Sequence, residues 1–221
     1  MRVYLVLSLG KENKRKRCEQ MYPMMVNIEG KAITIIGGGK VAYRKAMTFL
    51  KFGGQVRVIS PQFDERFKEQ TQIEYIQDNY DVQYLEKSFI VVAATNNSTL
   101  NRHIGERCEA KNILCNIIDN PKLSSFIVPS HITRGDLVIS VSTHGKSPGL
   151  TKHIKESLEV AFDNTYAERV ALLGMLREAV LEGKIKMQKI GSDDEKAREQ
   201  YLKELVYLDL DTLRLRVKEM A

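Results

Sequence analysis

The stretch Lys31-Ala-Ile-Thr-Ile-Ile-Gly37-Gly38-Gly39-Lys40-Val41-Ala42-Tyr-Arg-Lys-Ala-Met-Thr-Phe-Leu-Lys-Phe52 decides the fold. A short β-branched run, three glycines and then apolar residues at helical spacing read as a strand, a tight turn and a helix. Gly53-Gly54 stops the helix and Gln55 to Ile59 reads as the next buried strand, so the unit is βαβ. Within it Gly37, Gly39 and Ala42 fit G-x-G-x-x-A. The first glycine permits the turn and the second lets backbone approach a pyrophosphate. A small third residue allows helix to lie close on strand, and the helix N-terminus offers unpaired amides to the anion. The pattern points to a dinucleotide, with a purely structural glycine turn as the alternative. At the end of the second strand, where an NAD site usually carries an acid on the ribose, stands Ile59-Ser60-Pro61-Gln62. Ser60, Gln62 and backbone groups then have to hold the ribose, which leaves NAD against NADP open on these residues alone.

Outward from this unit, further strands are expected at Ile73 to Tyr75, Phe89 to Ala93, Ile113 to Ile117, Phe126 to Val128 and Leu137 to Val141, with a helix over Asn97 to Lys111. The expected class is α/β: a Rossmann-like parallel sheet, a small strand-containing segment and a C-terminal helical domain. Ser147 as N-cap and Pro148 at the first helical position open the helical part, in which Leu150, Ile154, Leu158, Ala161 and Phe162 share a face. Helices over Ala167 to Leu181 and Glu195 to Val217 follow, separated by a linker at Gly191-Ser-Asp-Asp. These helices are too few for a large core alone and are expected to pack on the first domain or on another subunit. The boundaries read as a basic, disordered extension over 1–20, a dinucleotide-binding domain over 21–117, a dimerisation and active-site segment over 118–147 and helices over 148–221. A second glycine-rich loop, Thr143-His-Gly-Lys-Ser-Pro-Gly149, lacks the GxxxxGK[ST] pattern and reads as a strand-to-helix connection facing the ligand edge of the sheet.

The chain has 221 residues with a formal charge of +6, 43% hydrophobic and 28% charged residues, values that argue against disorder, fibres and membrane bundles. Residues 1–20 hold six basic and two acidic side chains, so most of the basicity sits on this leader. Its apolar run, Val3 to Leu9, is far short of the roughly 18 to 20 residues that cross a bilayer. Its charges follow the apolar run instead of preceding it, against a signal peptide. A solvated tail and a nucleic-acid arm both fit the basic cluster; no recognition helix or RNA-reading aromatics accompany it, so neither nucleic acid nor membrane is expected as a partner. Met21 could equally open the chain. Cys18, Cys108 and Cys115 form no CxxC pair and the four histidines no metal-ligand spacing, which points to reduced thiols in a cytoplasmic protein and to no bound metal.

Taken together, the motifs resemble the precorrin-2 dehydrogenase family, which includes the N-terminal module of siroheme synthase and fungal dehydrogenase/ferrochelatases. The matching residues are Tyr22-Pro23, Gly37 to Ala42 with Arg44-Lys45, Ile59-Ser-Pro61, Ala93-Ala-Thr-Asn-Asn97, Asn101, Asn116-Ile-Ile-Asp-Asn-Pro121, Ser125-Phe-Ile-Val-Pro129 and Ser140 to Pro148. The resemblance implies NAD-dependent oxidation of precorrin-2 to sirohydrochlorin by a homodimer, on the way to sirohaem or cobalamin. It makes Asp119, which alone reads as a turn residue before Asn120-Pro121, the principal catalytic group and proton acceptor. It carries cofactor contacts to Gly37, Gly39, Lys40, Val41, Ser60, Pro61 and Gln62; Thr95 and Asn97, at a strand end, join them. Where siroheme synthases have Ser-Ser-Gly-Gly near the metal-insertion site, this chain has Ser142-Thr143-His144-Gly145. The candidates for substrate and chelation are therefore Asn116, Ser142, Thr143, His144 and Lys146, and ferrochelatase activity stays open. Nothing of methyltransferase size follows residue 150, so separate enzymes are expected for that step. Arg44, Lys45, Arg102, Arg134, Lys146 and Lys152 are the cations expected to meet the substrate's carboxylates. The reading from another class is a non-catalytic NAD(H) sensor that signals through its C-terminal helices.

Overall fold

The structure is a computed structural model, which describes residues 21–185 and 195–220. The chain divides between Ile127 and Val128 into two compact units. The basic leader and the Gly191 linker lie outside the described residues.

The first unit is a five-stranded parallel sheet. Strands β1 (Ala32–Ile36), β2 (Gln55–Ile59), β3 (Glu74–Ile76), β4 (Ile90–Ala93) and β5 (Leu114–Ile117) lie in the order β3-β2-β1-β4-β5. Ile33, Ile35, Val58, Val91 and Val92 are fully buried, as befits parallel strands covered on both faces. Helix α1 (Lys40–Lys51) buries Ala42, Ala46 and Phe49, spaced at four and three residues along one face. It ends where Gly53 turns left-handed (φ 76°) and the Gly53 and Gly54 amides donate to Leu50 and Phe49 carbonyls. Helix α2 (Ser98–Ala110) starts on Asn97, whose side chain accepts from the Leu100 amide, and buries Asn101, Ile104, Gly105 and Cys108.

Arg57 of β2 is the clamp of this sheet. Its Nε donates to Thr34 Oγ1 at 2.7 Å, and its Nη2 donates to the Tyr84 and Glu86 carbonyls at 2.6 and 2.8 Å, which pins the segment before β4. Thr34 in turn shares a 2.7 Å bond with Ser88.

The expected strand Phe126 to Val128 does not form. β5 is an edge strand, and its edge is closed by side chains: Ser125 Oγ accepts from the Cys115 amide (2.7 Å) and Ser124 Oγ from the Ile117 amide (2.8 Å). With those amides satisfied, the apolar run beside them has no ladder to join.

The second unit opens with a hairpin the sequence showed only in part, β6 (Ser130–Arg134) antiparallel to β7 (Leu137–Val141) around Gly135. Helix α3 (Pro148–Ala161), capped by Ser147, contacts this hairpin. None of its residues is fully buried, and Leu150 is 49% exposed. Helices α4 (Thr165–Leu181), α5 (Glu195–Leu205) and α6 (Leu210–Lys218) follow. The expected helix over Glu195 to Val217 is thus two: Arg169 Nη2 donates to the Val206 and Leu208 carbonyls at the break, and Asp209 caps α6 through the Thr212 amide. These helices share a small core, with Leu176, Leu205 and Leu213 buried.

Candidate active site

In a parallel sheet every strand ends on the same edge, and here the register is even. Ile36 lies beside Ile59 on one side and Ala93 on the other, and Ala93 lies beside Ile117. The residues that follow, Gly37, Ser60, Ala94 and Ile118, therefore share one rim, and the strand order reverses between β1 and β4. That reversal is where open α/β sheets bind their ligands.

The glycine turn shows what each glycine does. Gly37 has φ 118°, and a Cβ there would collide with the Ala94 carbonyl oxygen. Gly38 lies against the Gln62 carbonyl and Ser60 Oγ, so a side chain has no room there either. Gly39 differs. Its backbone is extended (φ −86°, ψ −176°), and a Cβ would meet nothing within 4 Å among the described residues. It caps α1 without any side chain over the helix amides, and the first turn holds no acid. Lys40 is exposed at the first helical position, a cation beside the positive end of the helix dipole. Both are unfavourable together until an anion arrives. Open space, bare amides and a cation fit a pyrophosphate.

The other cofactor candidates border the same rim. Ser60 is buried, and its Oγ donates to the Gln62 carbonyl (2.6 Å), which shapes the Pro61-Gln62 turn. Val41 is half-buried, and Pro61 and Gln62 are exposed. Thr95 follows β4; its Oγ1 donates to Asn101 Oδ1 (2.7 Å) and accepts from the Asn97 amide (3.1 Å).

Asp119 stands in the turn after β5, on the same rim and exposed. It lines a cavity of about 330 Å³ with Ser98, Thr99, Arg102 and Asn120. Its carboxylate serves the rim rather than its own turn: Asn101 Nδ2 donates to Asp119 Oδ1 at 3.1 Å. A carboxylate and a guanidinium-bearing side chain thus share one mouth, beside the rim that the glycine turn occupies. Sequence reasoning did not name Asn101, Ser98, Thr99 or Asn120 as site residues. Asn101 was visible only as part of a motif, since nothing in spacing says a helical Asn turns inward.

Asn116 is buried in β5, and its Nδ2 donates to the Phe126 carbonyl (3.2 Å). Ser142, Thr143, His144 and Lys146 belong to the second unit, between β7 and α3. There Ser142 Oγ accepts from the His144 amide (3.1 Å) and Thr143 Oγ1 from the Ser147 amide (3.0 Å). His144 is left-handed at φ 54°, a backbone that suits the glycine of the resembling family. Of the cations, Arg44 and Lys45 lie on α1, where burial and then Arg44 hold the Lys45 pKa below its ordinary value. Arg134 donates to the Thr133 and Glu159 carbonyls, and Lys152 pairs with Glu156 at 3.8 Å. Among the described residues no three His, Cys, Asp or Glu side chains gather to hold a metal, and no helix is long and apolar enough to cross a membrane.

The first unit is therefore a Rossmann-type domain whose glycine turn fits a dinucleotide. Family models agree: one described as "Putative NAD(P)-binding" matches residues 24–130, and one described as "Sirohaem biosynthesis protein central" matches 134–161. The chain belongs to the sirohaem-biosynthesis family that joins these two segments. It is 32% identical over 158 residues to the siroheme synthase of Photobacterium profundum, and 34% identical over 161 residues to siroheme synthase 3 of Aeromonas hydrophila. Those matches cover 70% and 72% of this chain but 34% of each relative, so it spans about a third of their length. A solved structure named SirC, precorrin-2 dehydrogenase, superposes with a TM-score of 0.68 over 90% of this chain and 98% of that one, at 24% identity, and shares the fold.

Proposed function

We propose that the protein is an NAD-dependent dehydrogenase that oxidises precorrin-2 to sirohydrochlorin. The observation that carries this reading is the placement of Asp119 in a cavity on the rim that also bears the glycine turn, in a chain of the sirohaem-biosynthesis family. Held at the glycine turn by the Gly39 and Lys40 region, the dinucleotide would supply the acceptor for a hydride from one carbon of the macrocycle. Asp119 accepts the proton from a neighbouring position, whose electron pair forms the new double bond. Asp119 becomes the neutral acid and returns its proton to solvent through the open cavity. Arg102, in the same cavity, offers the counter-charge for an acid side chain of the substrate. A cavity of this size lies near the lower end of ligand sites, so it admits an edge of the macrocycle rather than all of it.

The test is NADH formation from purified protein, precorrin-2 and NAD. The Asp119→Ala variant should fold and bind NADH but lose most turnover, and full turnover in it would overturn the reading. For metal insertion the residues proposed are Ser142, Thr143, His144 and Lys146; adding Fe²⁺ or Co²⁺ to the assay separates a chelatase from a dehydrogenase. The reading also takes the protein as cytoplasmic, where the buried thiols of Cys108 and Cys115 stay reduced, and as a homodimer. A hairpin with one buried residue, Ile132, and a helix α3 with none support a second copy as cover. A monomer by light scattering at micromolar concentration would count against it.

A further inference from the structure

Asn101 sits on the first turns of α2 with no exposed surface. Its carboxamide is used completely. Oδ1 accepts from the Thr95 amide (3.1 Å) and from Thr95 Oγ1 (2.7 Å), while Nδ2 donates to the Thr95 carbonyl (3.0 Å) and to Asp119 Oδ1 (3.1 Å). Two donors and two acceptor lone pairs are all that the group has. The orientation is not free, because the Thr95 amide demands an acceptor and the Thr95 carbonyl demands a donor. The NH₂ must therefore face Asp119.

That has a chemical consequence. Asp119 Oδ1 already accepts the Asn101 N–H, which occupies one of its lone pairs and lowers its basicity, so Oδ2 is the better acceptor for a further proton. Resting on the proposed dehydrogenation, we infer that Asn101 is the positioning residue of that reaction: it reserves Asp119 Oδ2 for the substrate's proton and ties the carboxylate to Thr95, at the end of the strand beside the glycine turn. Asn101 is not itself among the residues that line the cavity, and its effect on turnover runs through its bond to Asp119.

The experiment is a kinetic double-mutant cycle. Asn101→Ser removes the reach to Asp119 with a small side chain, and Asn101→Asp keeps the shape and the acceptor toward the Thr95 amide but sets a carboxyl group against Asp119 and the Thr95 carbonyl in place of the NH₂. Each should lower kcat by about 10- to 100-fold, the scale of an ångström-sized misplacement of a catalytic group. The dissociation constant for NADH, measured by fluorescence, should change by less than kcat does, since Asn101 holds only Thr95 among the cofactor candidates. In the Asp119→Ala background, Asn101→Ser should change the residual rate by less than about threefold, because the group it acts through is gone. A residue that merely holds the fold would lower both rates alike, and that result overturns the assignment. So does unchanged kcat in both single variants, or loss of the fold in both. If the wild type is active and Asp119→Ala is not, while Asn101→Ser and Asn101→Asp turn over normally, only this inference fails. If the wild type makes no NADH from precorrin-2, the proposed activity fails and this inference with it.

Discussion

Gly39→Ala separates binding from folding. At φ −86° and ψ −176° an alanine is at ease, and its methyl would meet no atom within 4 Å among the described residues. Alanine is a poorer N-cap than glycine by up to about 1 kcal/mol. The substitution also removes unfolded-state freedom worth about 0.4–1 kcal/mol in the opposite sense. The net lies within about 0.5 kcal/mol, a shift of roughly 2 °C in Tm for a chain of this length. Binding should behave differently. The methyl occupies the space over the first amides of α1, where a pyrophosphate must come into hydrogen-bonding distance. Losing one charge-assisted hydrogen bond costs about 1.5–3 kcal/mol, so the NADH dissociation constant should rise by about 10- to 100-fold. Thermal unfolding and fluorescence titration of the same preparation read the two quantities. Gly37→Ala is the contrast: a left-handed backbone and the Ala94 carbonyl oppose it, and it should lower stability by more than about 2 kcal/mol. Wild-type affinity in a folded Gly39→Ala protein would refute the reasoning, because the glycine would then serve only the turn.

Arg57→Met should destabilise the first unit by about 3 kcal/mol, since it strands the Tyr84 and Glu86 carbonyls; a change below about 1 kcal/mol in urea unfolding would contradict the clamp. His144→Gly should stabilise the second unit by about 0.5 kcal/mol, the relief of a left-handed residue less the added freedom of glycine, and a loss of stability would speak against it. Glu168 takes two bonds from Arg214, at 2.7 and 2.6 Å, and they hold its carboxyl below the ordinary 4.5. A depressed pKa contributes stability that is present above the ordinary value and lost as pH falls through the folded one. Glu168→Gln should therefore flatten the acid limb of urea midpoints plotted against pH, and an unchanged slope would refute the pair's role.

Much of the first unit was legible because its signals are local. Lys31 to Ile59 carries period, glycines and strand in sequence order, and the register at Ile36, Ile59, Ala93 and Ile117 follows once the strands are parallel. What misled was the run Phe126 to Val128, apolar enough for a strand, because the hydroxyls of Ser124 and Ser125 had already closed the edge it would join. β6 escaped notice since Ser-His-Ile-Thr-Arg has a single buried apolar residue, Ile132. The break between α5 and α6 was hidden by apolar spacing that runs on through Val206 and Leu208, while its cause, Arg169, lies on another helix. At the candidate site, Asp119 was singled out by motif, but Asn101 needed coordinates: whether a helical carboxamide faces water or a carboxylate is a tertiary fact.

The pairing of β1 with β4 brings Ile33 alongside Ile90, whereas β1 with β2 and β4 with β5 are each joined through a single helix. The sheet is two local halves meeting along one seam, and the close approach of Gly37 to Ala94 lies on that seam. Chain closure across so long a separation is expected to be the slow event, and at the proposed site a dinucleotide would have nothing to grip until it is over. In kinetic terms such a cofactor would act as a brake on leaving the native state, with no hand in reaching it. A newly made chain in a cell poor in cofactor would fold as quickly as in a rich one, and would stay folded for less time.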